Sequence, residues 1–159
     1  MKTILAPVDF SEVSKSVVRE AAALARAFDG RVVLLSVVQP PVVLSEYAGL
    51  MDVAQITAAG EKNAARQLEA LQETLKGEFI KAESVQMTGA PVASILEQAE
   101  EHDADFIVMG SHGHTAFYDL LVGSTTHGVL LRSKCPVVIV PAVSDGSKPG
   151  KRSKRAATV

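Results

Sequence analysis

Residues 104–126 read ADFIVMGSHGHTAFYDLLVGSTT, from Ala104 to Thr126. The apolar run that begins at Ala104 and ends at Met109 predicts a buried strand. Gly110 and Gly113 break it, and glycine tolerates positive φ and close backbone approach that other residues resist. Gly123, Ser124, Thr125 and Thr126 then precede an apolar-periodic segment through Val129, Leu130 and Leu131, which predicts a helix with hydroxyls at its start. A strand, a glycine loop and a hydroxyl-rich helix start together suit an anion, because first-turn N–H groups lack intrahelical acceptors and carry partial positive charge.

Outward from that stretch, strand and helix patterns alternate. The first strand is expected over Lys2 to Val8. Ser11 is then placed to cap a helix reaching about Phe28, with Val13, Val17, Ala21, Leu24 and Phe28 as its apolar stripe. Asp29-Gly30 ends that helix. Val32 to Val38 is almost continuously apolar, as expected for a parallel strand covered on both faces. Gln39-Pro40-Pro41 forces a non-helical exit into an irregular segment reaching about Asp52. A long helical pattern runs from about Val53 to Lys76 and is closed by Gly77. A third strand, Ile80 to Met87, is more polar and so expected near a sheet edge. Pro91 suits the first turn of a third helix. Pro136 to Val140 makes a fifth strand, stopped by Pro141. This alternation predicts a doubly wound α/β domain with right-handed crossovers.

The spacing G-x2-G-x9-G-[ST] from Gly110 to Ser124 resembles the nucleotide-binding signature of the universal stress protein family, in its ATP-binding branch. Ile4 to Ser11, Val32 to Val38 and Ser133 to Val140 also look like that family, so the resemblance covers roughly residues 1–141. It implies an open five-stranded parallel sheet in the order 3-2-1-4-5, with helices on both faces. Such a fold is Rossmann-like, of the adenine nucleotide alpha hydrolase-like kind. The order reverses between strands one and four, and ligands bind outside the carboxyl ends of strands at such a point. Ala6, Pro7, Val8 and Asp9 would then lie beside Met109 and Gly110. Asp9 and Val37 match positions at which the family holds the nucleoside. For the phosphates, the resemblance implies backbone amides at Gly110, Gly113, Gly123, Ser124 and Thr125 and hydroxyls at Ser124, Thr125 and Thr126. His112 and His114 complete the expected site, with His112 close enough to assist a triphosphate.

Bland readings stand beside these. Asp9 also suits a cap for the helix near Ser11. The loop also fits a plain glycine turn followed by an ordinary Ser/Thr cap. Phe117, Tyr118, Leu120 and Leu121 suit either a lid over a nucleotide or packing beneath the loop. His112 and His114 form an H-x-H pair, but Asp119 is the only carboxylate near it and the spacing has no standard zinc signature. Direct metal ligation by the protein is therefore not expected; Mg²⁺ would be carried by the nucleotide.

No lysine or arginine falls between Met109 and Leu131. A P-loop lysine or a cationic clamp on the transferring phosphoryl group is missing, so the expectation is nucleotide binding with slow or negligible hydrolysis. The first strand–helix turn, Ala6 to Ser11, contains no glycine, which excludes a dinucleotide fingerprint. Glu100-Glu101 reads as a solvated helix end, and no nucleophile motif is visible. A slow ATPase or nucleotide-dependent transferase is the enzymatic alternative to a regulatory ATP-binding protein. A protein-interaction module that keeps the loop without using it is a third reading.

With 159 residues, 47% hydrophobic and 21% charged, the chain suits one domain with one core. Asp9 and Glu12 interrupt the start before a signal-peptide apolar core forms. Cys135 is the sole cysteine and cannot form an internal disulfide, which fits a cytoplasmic setting. It reads as a packing residue. The tail from Ser144 carries five of the 16 basic side chains and one of the 18 acidic ones. The remainder, with 11 basic and 17 acidic residues, has a net charge of −6 instead of −2, which argues against broad nucleic-acid binding. The division expected is a nucleotide-binding domain over 1–141 and a flexible basic tail over 142–159, with contact to nucleic acid, membrane or a partner left open for the tail. The apolar fifth strand lies at a sheet edge on the implied order. An exposed apolar edge invites pairing, and the resemblance implies a homodimer through Pro136 to Val140.

Overall fold

The computed structural model describes residues 1–42, 52–112 and 122–142. Nine elements alternate: β1 (Thr3–Pro7), α1 (Glu12–Ala27), β2 (Arg31–Val38), α2 (Val53–Gly77), β3 (Lys81–Thr88), α3 (Pro91–Glu101), β4 (Phe106–Gly110), α4 (Ser124–Leu130) and β5 (Val137–Val140). All strand pairings are parallel and the sheet order is β3-β2-β1-β4-β5, as the resemblance implied. The polar strand β3 does lie at an edge, and β5 forms the other.

The period-two pattern sorts the core into two layers. Ile4, Ala6, Val8, Val32, Leu34 and Val108 pack on one face with Val17 and Ala21 of α1 and Leu68 and Leu75 of α2. Leu5, Val33, Leu35, Ile107 and Met109 pack on the other with Ile95 of α3 and Val129 of α4. Adjacent residues of one strand thus serve opposite layers, which explains the continuous apolar runs. Half-buried Cys135 packs against the second layer, in the structural role expected of it.

Helix ends depart from expectation. The helix α2 runs through Gly77; its cap is Glu78, and Phe79 takes the left-handed conformation at φ 60°. The N–H of Ile80 returns to the Leu75 carbonyl at 3.0 Å and that of Phe79 to Lys76 at 2.9 Å, a Schellman ending. The same left-handed step falls on Asp29 after α1 and Asp103 after α3, each at φ 47°. Gly30 is needed for proximity: a Cβ there would lie 2.5 Å from the Lys2 carbonyl oxygen, which accepts the Arg31 N–H where β2 enters beside β1. Asp105 anchors the start of β4. Its carboxylate accepts Lys2 Nζ at 2.6 Å and the Thr3 amide at 2.8 Å, holding β4 in register with β1. Glu100 and Glu101 diverge, one pairing with Lys134 and the other accepting from Gln98.

Candidate functional site at the strand carboxyl ends

β1 and β4 are adjacent, but β1 is followed by a helix on one face of the sheet and β4 by a helix on the other. Their connections part there and leave a cavity of about 270 Å³, near the lower bound of roughly 300 Å³ for ligand pockets. Pro7, Val8 and Asp9 border it from the end of β1, Val37 from β2, and Met109, Gly110 and His112 from the end of β4. Gly123, Ser124, Thr125 and Thr126 close the remaining side. Residues far apart in the sequence, from Pro7 to Thr126, are thereby brought around one cavity. Ala6 does not border the cavity: it is fully buried in the first core layer, because its side chain points to the α1 face. Gly113 and His114, with Phe117 to Leu121, lie outside the described residues.

Sequence reading missed the apolar walls. Val13 and Val17 of α1 and Pro91 and Ile95 of α3 each border the cavity as i, i+4 pairs. Leu35 and Gln39 border it on the same side as Val37, two residues either way along the chain. The signal was present: once Val37 is placed at a strand end, its i−2 and i+2 neighbours share its face.

Asp9 braces the turn into α1 and borders the cavity. Its Oδ1 accepts the Ser11 N–H at 3.0 Å, the Ser11 hydroxyl at 2.5 Å and the Ser14 hydroxyl at 3.0 Å. Ser11 is the N-cap residue of α1, yet its own side chain does not cap; Asp9 organises the turn instead. Between them Phe10 sits at φ 62°, a left-handed conformation that costs a non-glycine residue about 1–2 kcal/mol. Backbone strain of this kind concentrates where surrounding structure holds a functional group in place.

The loop glycines have different jobs. A Cβ on Gly110 would lie 2.7 Å from Val13 Cγ1 and 3.0 Å from the His112 carbonyl oxygen, so Gly110 lets α1 approach the end of β4. Gly123 faces no such demand. Its φ is −65°, and among the described residues a Cβ there would meet Ser111 O at 3.5 Å and His112 Cα at 3.6 Å, ordinary contacts. Its N–H donates to Ser111 O at 2.7 Å and is therefore committed to the fold rather than to a phosphate.

Gly123 is also the N-cap residue of α4, and among the described residues no side chain caps that helix. The expected Ser/Thr cap is absent because Ser124 is already the first helical residue. First-turn N–H groups at Ser124 and Thr125 thus border the cavity without a capping side chain. Thr126 is buried, and its hydroxyl donates to the Gly110 carbonyl at 2.8 Å, tying α4 to β4. Its hydroxyl proton serves the fold. Among the described residues, no lysine or arginine borders the cavity.

A doubly wound α/β domain with an amide-lined cavity at its switch point is the class this geometry defines. The chain belongs to the Universal stress protein family, whose profile matches residues 1–141. It is similar to universal stress protein MJ0577 of Methanocaldococcus jannaschii, 28% identical over 152 residues, covering 87% of this chain and 94% of that one. Universal stress protein MJ0531 of the same organism is 32% identical over 142 residues, covering 87% and 81%. The solved structure of MJ0577 aligns with a TM-score of 0.77, over 90% of this chain and 97% of that one. A universal stress protein crystallised in complex with cAMP aligns with a TM-score of 0.66 at 25% identity, over 88% and 96%.

Proposed function

We propose that this chain binds an adenine nucleotide, ATP carried with Mg²⁺, as a regulatory ligand in stress response or signalling. The observation that carries this reading is Gly123. Neither its backbone angle nor its described neighbours require glycine, and it caps α4 without a side chain. What glycine gives there is an open approach to the Ser124 and Thr125 amides. A phosphate is the ligand that such donors suit. Asp9 and Val37 stand across the cavity, where a carboxylate accepts ribose hydroxyls and an apolar side chain packs against a base. The cAMP-bound relative supports an adenine ligand in this fold.

Hydrolysis is slow or absent on this reading, since the described walls bring no cation to the transferring phosphoryl group. The 1–141 segment acts as the nucleotide-binding domain, and two copies associate through Pro136 to Val140. Thermal unfolding with and without ATP tests the binding. A ligand at about a hundred times its Kd stabilises the native state by about 2.7 kcal/mol, so an unchanged midpoint under saturating ATP sinks the proposal.

A further inference from the structure

Ser111 follows the end of β4, is 8% exposed, and uses every polar group it has. Its N–H donates to Val140 O at 2.8 Å, and its carbonyl accepts the Gly123 N–H at 2.7 Å. Its Oγ accepts the Ala142 N–H at 3.1 Å and lies 3.1 Å from His112 Nδ1. The backbone groups therefore join β4 to the end of β5 and to the start of α4. The hydroxyl joins the exit of β5 to a histidine that borders the cavity.

The two hydroxyl contacts share one oxygen. The Ala142 amide can only donate, so it takes a lone pair of Oγ and leaves the hydroxyl proton to be placed. Among the described residues His112 Nδ1 lies within reach of that proton, and the contact has two possible directions: the hydroxyl donates to Nδ1, or an Nδ1–H donates to the second lone pair of Oγ. In the first direction Nδ1 carries no proton in the neutral ring and Nε2 carries it. We propose that Ser111 is a positioning residue: its hydroxyl, oriented by the Ala142 amide, holds neutral His112 as the Nε2–H tautomer, an N–H donor for the phosphate end of the bound nucleotide. This rests on the nucleotide reading of the cavity and extends it to a residue outside the wall. It also supplies a donor in place of the cation that the described walls lack.

Long-range proton–nitrogen correlation spectra of the full chain with labelled histidine, recorded for the wild type, Ser111→Ala and Ser111→Thr, read the tautomer directly. The wild type and Ser111→Thr should give the Nε2–H pattern for His112, and Ser111→Ala a mixture of both tautomers. Calorimetric titrations should show ATP binding weakened about tenfold by Ser111→Ala, the size of one lost hydrogen bond. Adenosine affinity should not change, and Ser111→Thr should restore ATP affinity. A wild-type Nδ1–H pattern overturns the proposal even if Ser111→Ala fails to fold. So does equal weakening of ATP and adenosine, which makes Ser111 merely structural. A wild type that binds neither ligand overturns the nucleotide reading itself and removes the phosphate role, a result distinct from ATP binding that ignores the substitution.

Discussion

At the scale of single residues, the site separates positions that serve the fold from positions available to a ligand. Gly110 and Thr126 belong to the first group. Gly110→Ala would drive a methyl group against Val13 Cγ1 at 2.7 Å and should cost about 1–3 kcal/mol, read as a lowered urea midpoint. Thr126→Val removes the hydroxyl bonded to the Gly110 carbonyl and should cost about 1–3 kcal/mol, with Thr126→Ser recovering most of it. Asp9 was legible in the sequence because a carboxylate at the end of a strand is visible there; it braces the turn before α1 and borders the cavity. The side chain of Ala6 is turned into the core by strand periodicity, which becomes readable once the end of β1 is known. The commitment of the Gly123 amide to Ser111 could not be read from spacing, since it depends on how the described flanks of residues 113–121 meet.

Elements were more legible than their ends. Continuous apolar runs marked the covered strands, the polar run marked the edge strand β3, and Pro91 marked the start of α3. Asp29-Gly30 marked the end of α1, whereas after α2 the left-handed position falls on Phe79, a residue type that does not announce a stop. Phe79 is 99% exposed, so its side chain contributes little packing to offset the strain. Phe79→Gly relieves a cost of about 1–2 kcal/mol and adds about 0.5–1 kcal/mol of chain entropy loss, so a net stabilisation of about 0.5 kcal/mol should raise the thermal midpoint slightly.

The link between β1 and β4 is sensitive to acid. The Lys2 hydrogen bond, and after it the Thr3 amide, hold the Asp105 carboxyl below its usual range. A group with a lowered folded pKa stabilises above its unfolded value and loses that contribution as pH falls through the folded one. Asp105→Asn should therefore lower stability at neutral pH, and the gap to the wild type should close as pH falls below about 4. A gap that persists unchanged into acid contradicts the pairing. Lys134 has the opposite sign: its hydrogen bond to Glu100 raises its pKa, so that contribution is present at neutral pH and lost as pH rises through the folded value.

For the molecule as a whole, the layout was readable because strand and helix periodicities alternate cleanly, whereas the cavity's apolar walls come from two helices, α1 and α3, and from strands distant in sequence. Among the described residues, no helix is long and apolar enough to cross a membrane. The 1–141 domain should function without the basic tail. Ala142 belongs with it, because its amide orients Ser111. A chain ended after Ala142 should keep the thermal midpoint and ATP affinity of the full chain, and sedimentation should find both as dimers; a monomeric full chain contradicts association through β5.

The central claim is that the open cap of α4 receives phosphate, and Gly123→Asp tests it most directly by calorimetric titration with ATP beside the wild type. An aspartate is a better N-cap than glycine and favours the helix start electrostatically, so the variant should gain about 0.5 kcal/mol of stability. The same carboxylate would occupy the first-turn amides and repel phosphate. The account predicts a folded, slightly more stable protein in which the saturable ATP binding of the wild type is lost. Undiminished ATP affinity in the folded variant would contradict it.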